Sequence, residues 1–203
     1  MAVIVTDTVQ TSNRQQKQKK MRKIIAALNM TVDGICDHTA GIPDVEIHQH
    51  YTELLGQGDA ILYGRTTYQL MEYWQTFIEN PSEEKSMNDF ATSIDRIPKI
   101  VFSHTLKNVD WQSATLAKSD LKETVLELKQ QSGENIFIGS RSLIIQLLKL
   151  NLIDELQLCI YPMVEGKGLA LFEDIHDRII FKLIKTKIFN SGAIILYYEP
   201  TTK

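Results

Sequence analysis

Apolar residues along this chain fall into short, nearly continuous runs that end in glycine, serine or a polar turn. Runs of about four to eight apolar residues with such boundaries are typical of buried β-strands. The runs predict eight strands, over residues 22–30, 59–63, 99–103, 114–117, 135–139, 155–164, 179–189 and 193–199.

Most stretches between the first six strands have the periodicity of amphipathic helices, and their ends carry capping residues or glycine. Strands that alternate with helices, followed by a hairpin at Asn190–Gly192, predict a three-layer α/β domain. Its central sheet should be mostly parallel, with antiparallel C-terminal strands. The predicted helices cover residues 44–55, 66 to about 77, 87–95, 120–131 and a segment that begins at Ser140.

The first 20 residues differ from the rest of the chain. Beyond the first few positions they are polar and without periodicity, and Met21 stands directly before the first predicted strand. We therefore expect residues 1–20 to be a flexible N-terminal extension and residues 21–203 to form one domain.

The balance of charge argues against some kinds of partner. Residues 21–203 carry 18 basic and 24 acidic side chains, a net charge of −6, whereas binding to nucleic acid requires a basic surface. No apolar run approaches the ~20 residues that a membrane-spanning helix needs. We expect a cytoplasmic protein that acts on a small molecule, with no nucleic-acid or membrane partner.

Residue types that bind metals do not occur at the spacings that metal sites need. Cys36 and Cys159 lie far apart in apolar settings and are expected to be free thiols. No paired-cysteine zinc motif is present, and His48 and His50, two residues apart on a predicted helix, would not share a face. We therefore expect no metal site.

A candidate anion site lies where the second predicted strand turns into a helix, in the sequence ILYGRTTYQLM. A helix start presents free backbone N–H groups and the positive end of the helix dipole to an anion. Gly64 allows a tight turn, and the Arg65 guanidinium can make paired hydrogen bonds to a phosphate. Thr66 or Thr67 can cap the helix. The same pattern also fits an ordinary capped helix with a surface arginine.

Two further strand ends carry similar groups. Ser103 and His104 follow one strand, and the sequence NIFIGSRSL places a second helix start directly after another. In open parallel sheets, ligands bind at the carboxyl ends of the strands. The three strand ends together predict a crevice for one phosphate-bearing ligand. The predicted ligand-binding residues are Gly64, Arg65, Thr66, Thr67, Ser103, Gly139, Ser140, Arg141, Ser142 and Leu143.

Across residues 22–199 the chain contains, in order, IIAALNMTVDG, ILYGRTTYQLMEYW, KIVFSHTL, IFIGSRSL and LIDELQLCIYPMVEGKGLALF. In this series it resembles the dihydrofolate-reductase-like superfamily, and within it the stand-alone reductase domain of riboflavin biosynthesis (the RibD C-terminal domain family). The resemblance implies a dihydrofolate-reductase-like fold and an NADPH-dependent reductase. It assigns cofactor phosphates to the helix start after Gly64, the adenosine 2′-phosphate to Ser103, and the pyrophosphate to the turn from Gly139 to Leu143.

Two positions depart from the family pattern. His104 stands where members often have arginine, and a neutral imidazole holds a phosphate less well than a guanidinium does. Ser140 stands where members commonly have a second glycine, which a serine can replace if its φ is negative. NADPH is therefore the expected cofactor, with NADH possible.

Three carboxylates are candidates for the substrate side. Asp33 ends the first strand in TVDG, where the substrate side of the family begins, and is the candidate catalytic proton donor, although Asp-Gly also simply forms turns. Asp44 and Glu46 open the next helix, roughly where folate-reducing members bind the pterin. Their alternative role is to cap the helix and complement its dipole. We expect Asp33, Asp44 and Glu46 to contact the substrate.

The residues and the resemblance together predict an NAD(P)H-dependent reductase of a small nitrogen heterocycle, of the pterin or ribosylaminopyrimidine class. A catalytically silent nucleotide-binding module and a true dihydrofolate reductase are the alternatives. The zinc-deaminase signature of bifunctional riboflavin enzymes is absent, so the chain would perform only the reduction. The last strands leave an exposed sheet edge, which a homodimer commonly covers in this family, and we expect a homodimer.

Overall fold

A computed structural model describes residues 21–201, and the predicted flexible extension at residues 1–20 lies outside them. The described residues contain one eight-stranded sheet. Its strands are β1 (Ile24–Thr31), β2 (Gly58–Gly64), β3 (Lys99–Phe102), β4 (Ala114–Leu116), β5 (Asn135–Ile138), β6 (Glu155–Tyr161), β7 (Phe181–Ile188) and β8 (Ile194–Pro200).

The strands are arranged in the order β4-β3-β2-β5-β1-β6-β8-β7. The first six strands pair in parallel, whereas β8 is antiparallel to both β6 and β7. Between β7 and β8 the backbone N–H of Phe189 donates to the carbonyl of Ala193 at 2.9 Å, and Gly192 has a φ of 84°. The predicted mostly parallel sheet and its closing hairpin are therefore confirmed.

Helices cover both faces of the sheet. Leu54, Tyr68 and Ile94 belong to the apolar cluster on one face, and Val125 and Leu147 belong to the cluster on the other. The predicted three-layer architecture is therefore confirmed. The helices are α1 (Val45–Leu55), α2 (Arg65–Met71), α3 (Thr76–Glu79), α4 (Lys85–Arg96), α5 (Leu121–Gln130) and α6 (Arg141–Lys149), with a 3₁₀ turn at Glu72–Gln75 between α2 and α3.

The prediction of one continuous helix from residue 66 to about 77 is wrong, because the 3₁₀ turn divides it. The Trp74 ring in this turn lies 4.6 Å from the Phe90 ring of α4 and 5.5 Å from the Phe77 ring. The 3₁₀ turn thus occurs where Trp74 packs against other rings. The segment contains no proline or glycine from which a break in the helix could have been predicted. The sixth strand is also shorter than predicted: it ends at Tyr161, because Pro162 has no N–H to continue the ladder.

Between residues 21 and 201 no helix is long and apolar enough to cross a membrane. In the same residues no group of three or more His, Cys, Asp or Glu side chains could hold a metal ion. His48 contacts the rings of Trp74 and Phe90, whereas His50 contacts those of Tyr51 and Phe189. Cys159 is buried, Cys36 is half-buried, and both are free thiols.

Candidate functional site

The sheet opens at the carboxyl ends of β2 and β5. These two strands are neighbours, but the helices that follow them lie on opposite faces: α2 packs with α1 and α4, and α6 packs with α5. The chain thus leaves adjacent strand ends in opposite directions, which forms a crevice of the kind where open α/β sheets bind ligands. On either side, β3 and β1 bring the Ser103 and Asp33 loops to the same edge.

A hydrogen bond joins the two predicted helix starts across this crevice. The backbone N–H of Gly64 donates to Ser140 Oγ at 2.9 Å, and Ser140 is only 1% exposed. A Cβ atom added to Gly64 would lie 3.4 Å from Ser142 Oγ. The φ of Gly64 is −78°, which any residue can adopt. An added Cβ would thus make only ordinary van der Waals contacts, and the structure does not require glycine here for the tight turn that we predicted.

Neither helix start is capped by a side chain. Gly64 is the N-cap of α2, and Thr66 and Thr67 lie inside the helix, so the prediction that either threonine caps it is wrong. Ser140, the N-cap of α6, accepts from Gly64 rather than from its own helix, and its φ is −101°, the negative value expected for serine there. The start of α1, by contrast, is capped by Asp44. The first backbone N–H groups of both helices are therefore left without a side-chain cap, an arrangement in which a helix start can bind an anion.

Replacing Ser140 by alanine is expected to lower the free energy of unfolding by about 1–2 kcal/mol, because the buried Gly64 N–H loses its acceptor. Urea unfolding at neutral pH measures the change. The neighbouring exposed Ser142 provides the matched control, since Ser142→Ala should leave the free energy of unfolding unchanged. An Ser140→Ala variant as stable as the unaltered protein would contradict this role of the hydrogen bond.

The Arg65 side chain is exposed and reaches the loop that follows β3. Its Nη1 donates to Thr105 Oγ1 at 3.4 Å. Ser103 Oγ accepts from the backbone N–H groups of Thr105 and Leu106, at 3.1 and 2.9 Å, and so shapes this loop. The structure thus brings the Arg65 guanidinium and the Ser103 loop together at neighbouring strand ends. Thr105 was not among the predicted site residues, and its position two residues after Ser103 was the available signal.

Two residues at the second helix start use their side chains elsewhere. Arg141 Nε donates to the carbonyl of Ala170 at 2.6 Å, and its Nη2 lies 3.1 Å from Asp174 Oδ2 in an ion pair without hydrogen-bond geometry. Leu143 is buried in the apolar core. A contact of either residue with a ligand would therefore involve the backbone, whereas the Ser142 side chain is exposed.

The expectation that Asp33 donates a proton does not fit its surroundings. Its carboxylate accepts hydrogen bonds from Thr31 Oγ1 and from the backbone N–H groups of Gly166 (2.7 Å) and Glu165 (3.2 Å). The bond from Thr31, and next the one from Gly166, lower the pKa of Asp33 to about 2. At neutral pH this carboxyl is ionised and carries no proton to give. Its contacts instead anchor the turn at Glu165 and Gly166 beside the end of β1.

The other two predicted substrate carboxylates also have partners within the protein. Asp44 accepts from the backbone N–H of Ile47 at 2.9 Å, which makes it the N-cap of α1. Glu46 accepts from both the backbone and the side-chain amide of Asn190, each at 2.8 Å, and ties α1 to the β7–β8 hairpin. The structure thus shows the cap for Asp44 and a tertiary tie for Glu46, and contact of either with substrate stays a prediction.

The sequence and the fold were compared with known proteins. The family model of the RibD C-terminal domain matches residues 22–196. The chain is 35% identical over 184 residues to YyaP, an uncharacterized protein of Bacillus subtilis strain 168, covering 89% of this chain and 96% of YyaP.

Solved structures with the same fold include two of different kinds. One is a putative riboflavin biosynthesis protein from Shewanella sp. PV-4 (19% identity, TM-score 0.65, 89% of this chain and 99% of that chain). The other is a dihydrofolate reductase from Enterococcus faecalis complexed with NADP(H) (10% identity, TM-score 0.59, 89% and 97%). At these identities the structures show the fold alone, which is dihydrofolate-reductase-like as predicted. Because the family model spans most of the residues that the structure describes, this chain belongs to the RibD C-terminal domain family.

Proposed function

We propose that the protein is an NADPH-dependent reductase of a small nitrogen heterocycle, of the pterin or ribosylaminopyrimidine class. The observation that carries the proposal is the pair of helix starts, both without side-chain caps, that the Gly64–Ser140 hydrogen bond joins where β2 and β5 diverge. A dinucleotide presents several phosphate oxygens to adjacent strand ends, and this crevice offers backbone donors at two of them. Membership in the RibD C-terminal domain family also supports a reductase function.

The residues around the crevice suit an NADP-type cofactor. We assign the 2′-phosphate to the Arg65 guanidinium and the Ser103 hydroxyl, because the exposed Arg65 contacts Thr105 in the loop that Ser103 shapes. The backbone N–H groups that start α2 and α6 would hold the other phosphates. When bound, the nicotinamide supplies the hydride. Asp33 acts as a positioning residue that fixes the turn at Glu165 and Gly166 on the substrate side.

Purified protein should bind NADPH with enhanced nicotinamide fluorescence, and should oxidise it when a pterin or ribosylaminopyrimidine substrate is added. The fluorescence titration tests the cofactor site, and the loss of NADPH absorbance tests catalysis. Absence of binding at submillimolar NADPH would overturn the proposal. We place the reaction in the cytoplasm, where the free thiols Cys36 and Cys159 stay reduced.

One observation favours the alternative of a silent nucleotide-binding module. The hydrogen bonds to Asp33 keep its carboxyl ionised, so it has no proton to donate. NADPH binding without oxidation across pterins, dihydrofolate and ribosylaminopyrimidines would select this alternative. A true dihydrofolate reductase would show competition by methotrexate and would need a carboxylate from α1 in the crevice. The existing hydrogen bonds of Asp44 and Glu46 count against that alternative.

We also propose that the protein forms a homodimer through β7. This strand is at the edge of the sheet, and its Ile184 and Ile188 side chains are 45% and 72% exposed. Apolar residues on an unpaired edge strand favour association with a second strand. Light scattering coupled to gel filtration should give the mass of a dimer for the unaltered protein and of a monomer for Ile184→Glu. The exposed Leu126 of α5 provides the control, because Leu126→Glu should stay dimeric. A monomeric unaltered protein would contradict the proposal.

A further inference from the structure

A second cleft lies far from the crevice, at the opposite end of the sheet. Its volume is about 410 Å³, within the range of about 300–1,000 Å³ typical of small-molecule sites. The cleft is bounded by the C-terminal half of α1 and by the amino ends of β5 and β6, whose first residues line it. The side chains that matter for its chemistry are Lys23, His50, Glu53, Gln157, Lys185 and Lys187.

Two lysines of β7 bring positive charge to this cleft without a counter-ion. Lys185 Nζ lies 4.2 Å from the centre of the Tyr197 ring, and Lys187 Nζ lies 5.0 Å from the centre of the Phe189 ring. Among the described residues, no carboxylate oxygen lies within 4.0 Å of either ammonium group. Alternate residues of a strand project from the same face, so the two charges are neighbours. They present a binding surface for an anion that carries two negative charges.

Two buried polar atoms in the cleft have no hydrogen-bond partner. His50 is 8% exposed and Gln157 is 4% exposed, and His50 Nε2 and Gln157 Oε1 are unpaired. A buried polar atom without a partner is costly, which points to a ligand or bound solvent at this position.

The contacts of these two side chains define what each offers. Lys187 Nζ lies 3.4 Å from His50 Nδ1, and because an ammonium only donates, Nδ1 accepts. Burial, and next the charges of Lys187 and Lys185, lower the pKa of His50 to about 4, so at neutral pH the ring proton is on Nε2. Gln157 Nε2 donates to Glu155 Oε1 at 2.7 Å, which leaves the amide oxygen as an acceptor. The cleft therefore offers one N–H donor and one C=O acceptor beside two ammonium groups.

Neither Glu53 nor Glu155, the acidic residues of the cleft, forms an ion pair with Lys185 or Lys187. Glu155 lies 3.9 Å from Lys23 Nζ and accepts from Gln157. Glu53 accepts from Gln49 Nε2 at 3.3 Å on the exposed side of α1. Both carboxylates thus have partners of their own, whereas Lys185 and Lys187 do not pair with a carboxylate.

We propose that this cleft binds a small phosphate monoester that also carries hydroxyl groups. The phosphate dianion would face Lys185 and Lys187 and accept from His50 Nε2–H, and a hydroxyl would donate to Gln157 Oε1. The proposal does not rest on the reductase activity, since the cleft and the crevice lie at opposite ends of the sheet.

Calorimetric titration of the full chain at neutral pH tests this site with three probes. Glycerol 3-phosphate carries both groups, inorganic phosphate only the anion, and glycerol only the hydroxyls. Glycerol 3-phosphate should bind about tenfold more tightly than inorganic phosphate, and glycerol should not bind measurably. Absence of binding of glycerol 3-phosphate at millimolar concentrations would overturn the proposal, as would equal affinity for the two phosphates.

Variants then locate the site. The double variant Lys185→Gln/Lys187→Gln should lose about tenfold or more in affinity for glycerol 3-phosphate. Gln157→Leu should lose the preference for glycerol 3-phosphate over inorganic phosphate. Lys182→Gln, an exposed lysine of the same strand, is the matched control and should bind unchanged. If the double variant binds as the unaltered protein does, the site is elsewhere and the proposal is wrong.

A measurement on the unaltered protein makes the test independent of how the variants fold. In a nitrogen–proton correlation spectrum, the His50 ring should show a proton on Nε2, and its resonances should shift when glycerol 3-phosphate is added. A ring that does not respond at saturating ligand would overturn the proposal. Circular dichroism of each variant confirms that a loss of binding is not a loss of folding.

Discussion

An Arg65→Ala variant is expected to bind NADPH about 10- to 100-fold more weakly than the unaltered protein, because a charge-assisted contact to phosphate contributes about 1.5–3 kcal/mol. Its affinity for NADH should fall by less than about twofold, since NADH has no 2′-phosphate for the guanidinium to bind. The difference follows from the position of Arg65, exposed at the start of α2 and within hydrogen-bond distance of Thr105. Fluorescence titration with each cofactor measures both affinities.

Two further variants sharpen this test of the arginine. Arg65→Lys keeps the charge but loses the planar pair of donors, so its affinity for NADPH should fall between those of the alanine variant and the unaltered protein. Arg96 is also exposed but ends α4, on the amino side of β3, and Arg96→Ala should bind both cofactors normally. Equal losses of NADPH and NADH affinity in Arg65→Ala would remove the guanidinium from the 2′-phosphate.

The strand ends that form the crevice could be predicted from the sequence, because their signals are local. Gly64, Ser103 and Gly139 each follow a short apolar run, and the structure places all three runs in neighbouring strands of the sheet. The order of the strands is not a local property. It depends on β5 returning, after β3 and β4, to pair between β2 and β1, and that arrangement makes the helices after β2 and β5 leave on opposite faces.

The hydrogen bonds within the site could not be predicted from sequence patterns either, because they join residues that are far apart in the sequence. The Gly64–Ser140 bond joins residues 76 positions apart, and the bonds that Asp33 accepts from Glu165 and Gly166 span 132 and 133 positions. In the sequence, Ser140 is the start of a helix and Asp33 belongs to an Asp-Gly turn. Only the tertiary structure shows that the serine accepts from the other helix start and that the carboxylate is held ionised.

Acid is expected to destabilise the protein between pH 6.5 and 4 through His50, whose folded-state pKa is about 4 against a usual value of 6.5. Above this pH range the ring is neutral in both the folded and the unfolded state and does not change the free energy of unfolding. Within it the unfolded chain binds more protons, so the free energy of unfolding falls as the pH falls, by at most about 3 kcal/mol from this residue. Burial of His48 lowers the pKa of that imidazole as well and adds to the loss in the same direction.

Urea unfolding at a series of pH values, in buffers without phosphate, measures this dependence and isolates the part due to His50. The charged groups that line the cleft together with the ring are Lys23, Glu53, Glu155, Lys185 and Lys187. Because the two lysines favour the neutral ring, His50→Gln should flatten the loss between pH 6.5 and 4, whereas a substitution of the exposed His176 should not. A loss of equal size in His50→Gln and in the unaltered protein would show that His50 is not kept neutral by its surroundings. The effect of Lys185 and Lys187 on the ring would then be absent, so this measurement and the ligand titrations test one electrostatic arrangement by independent routes.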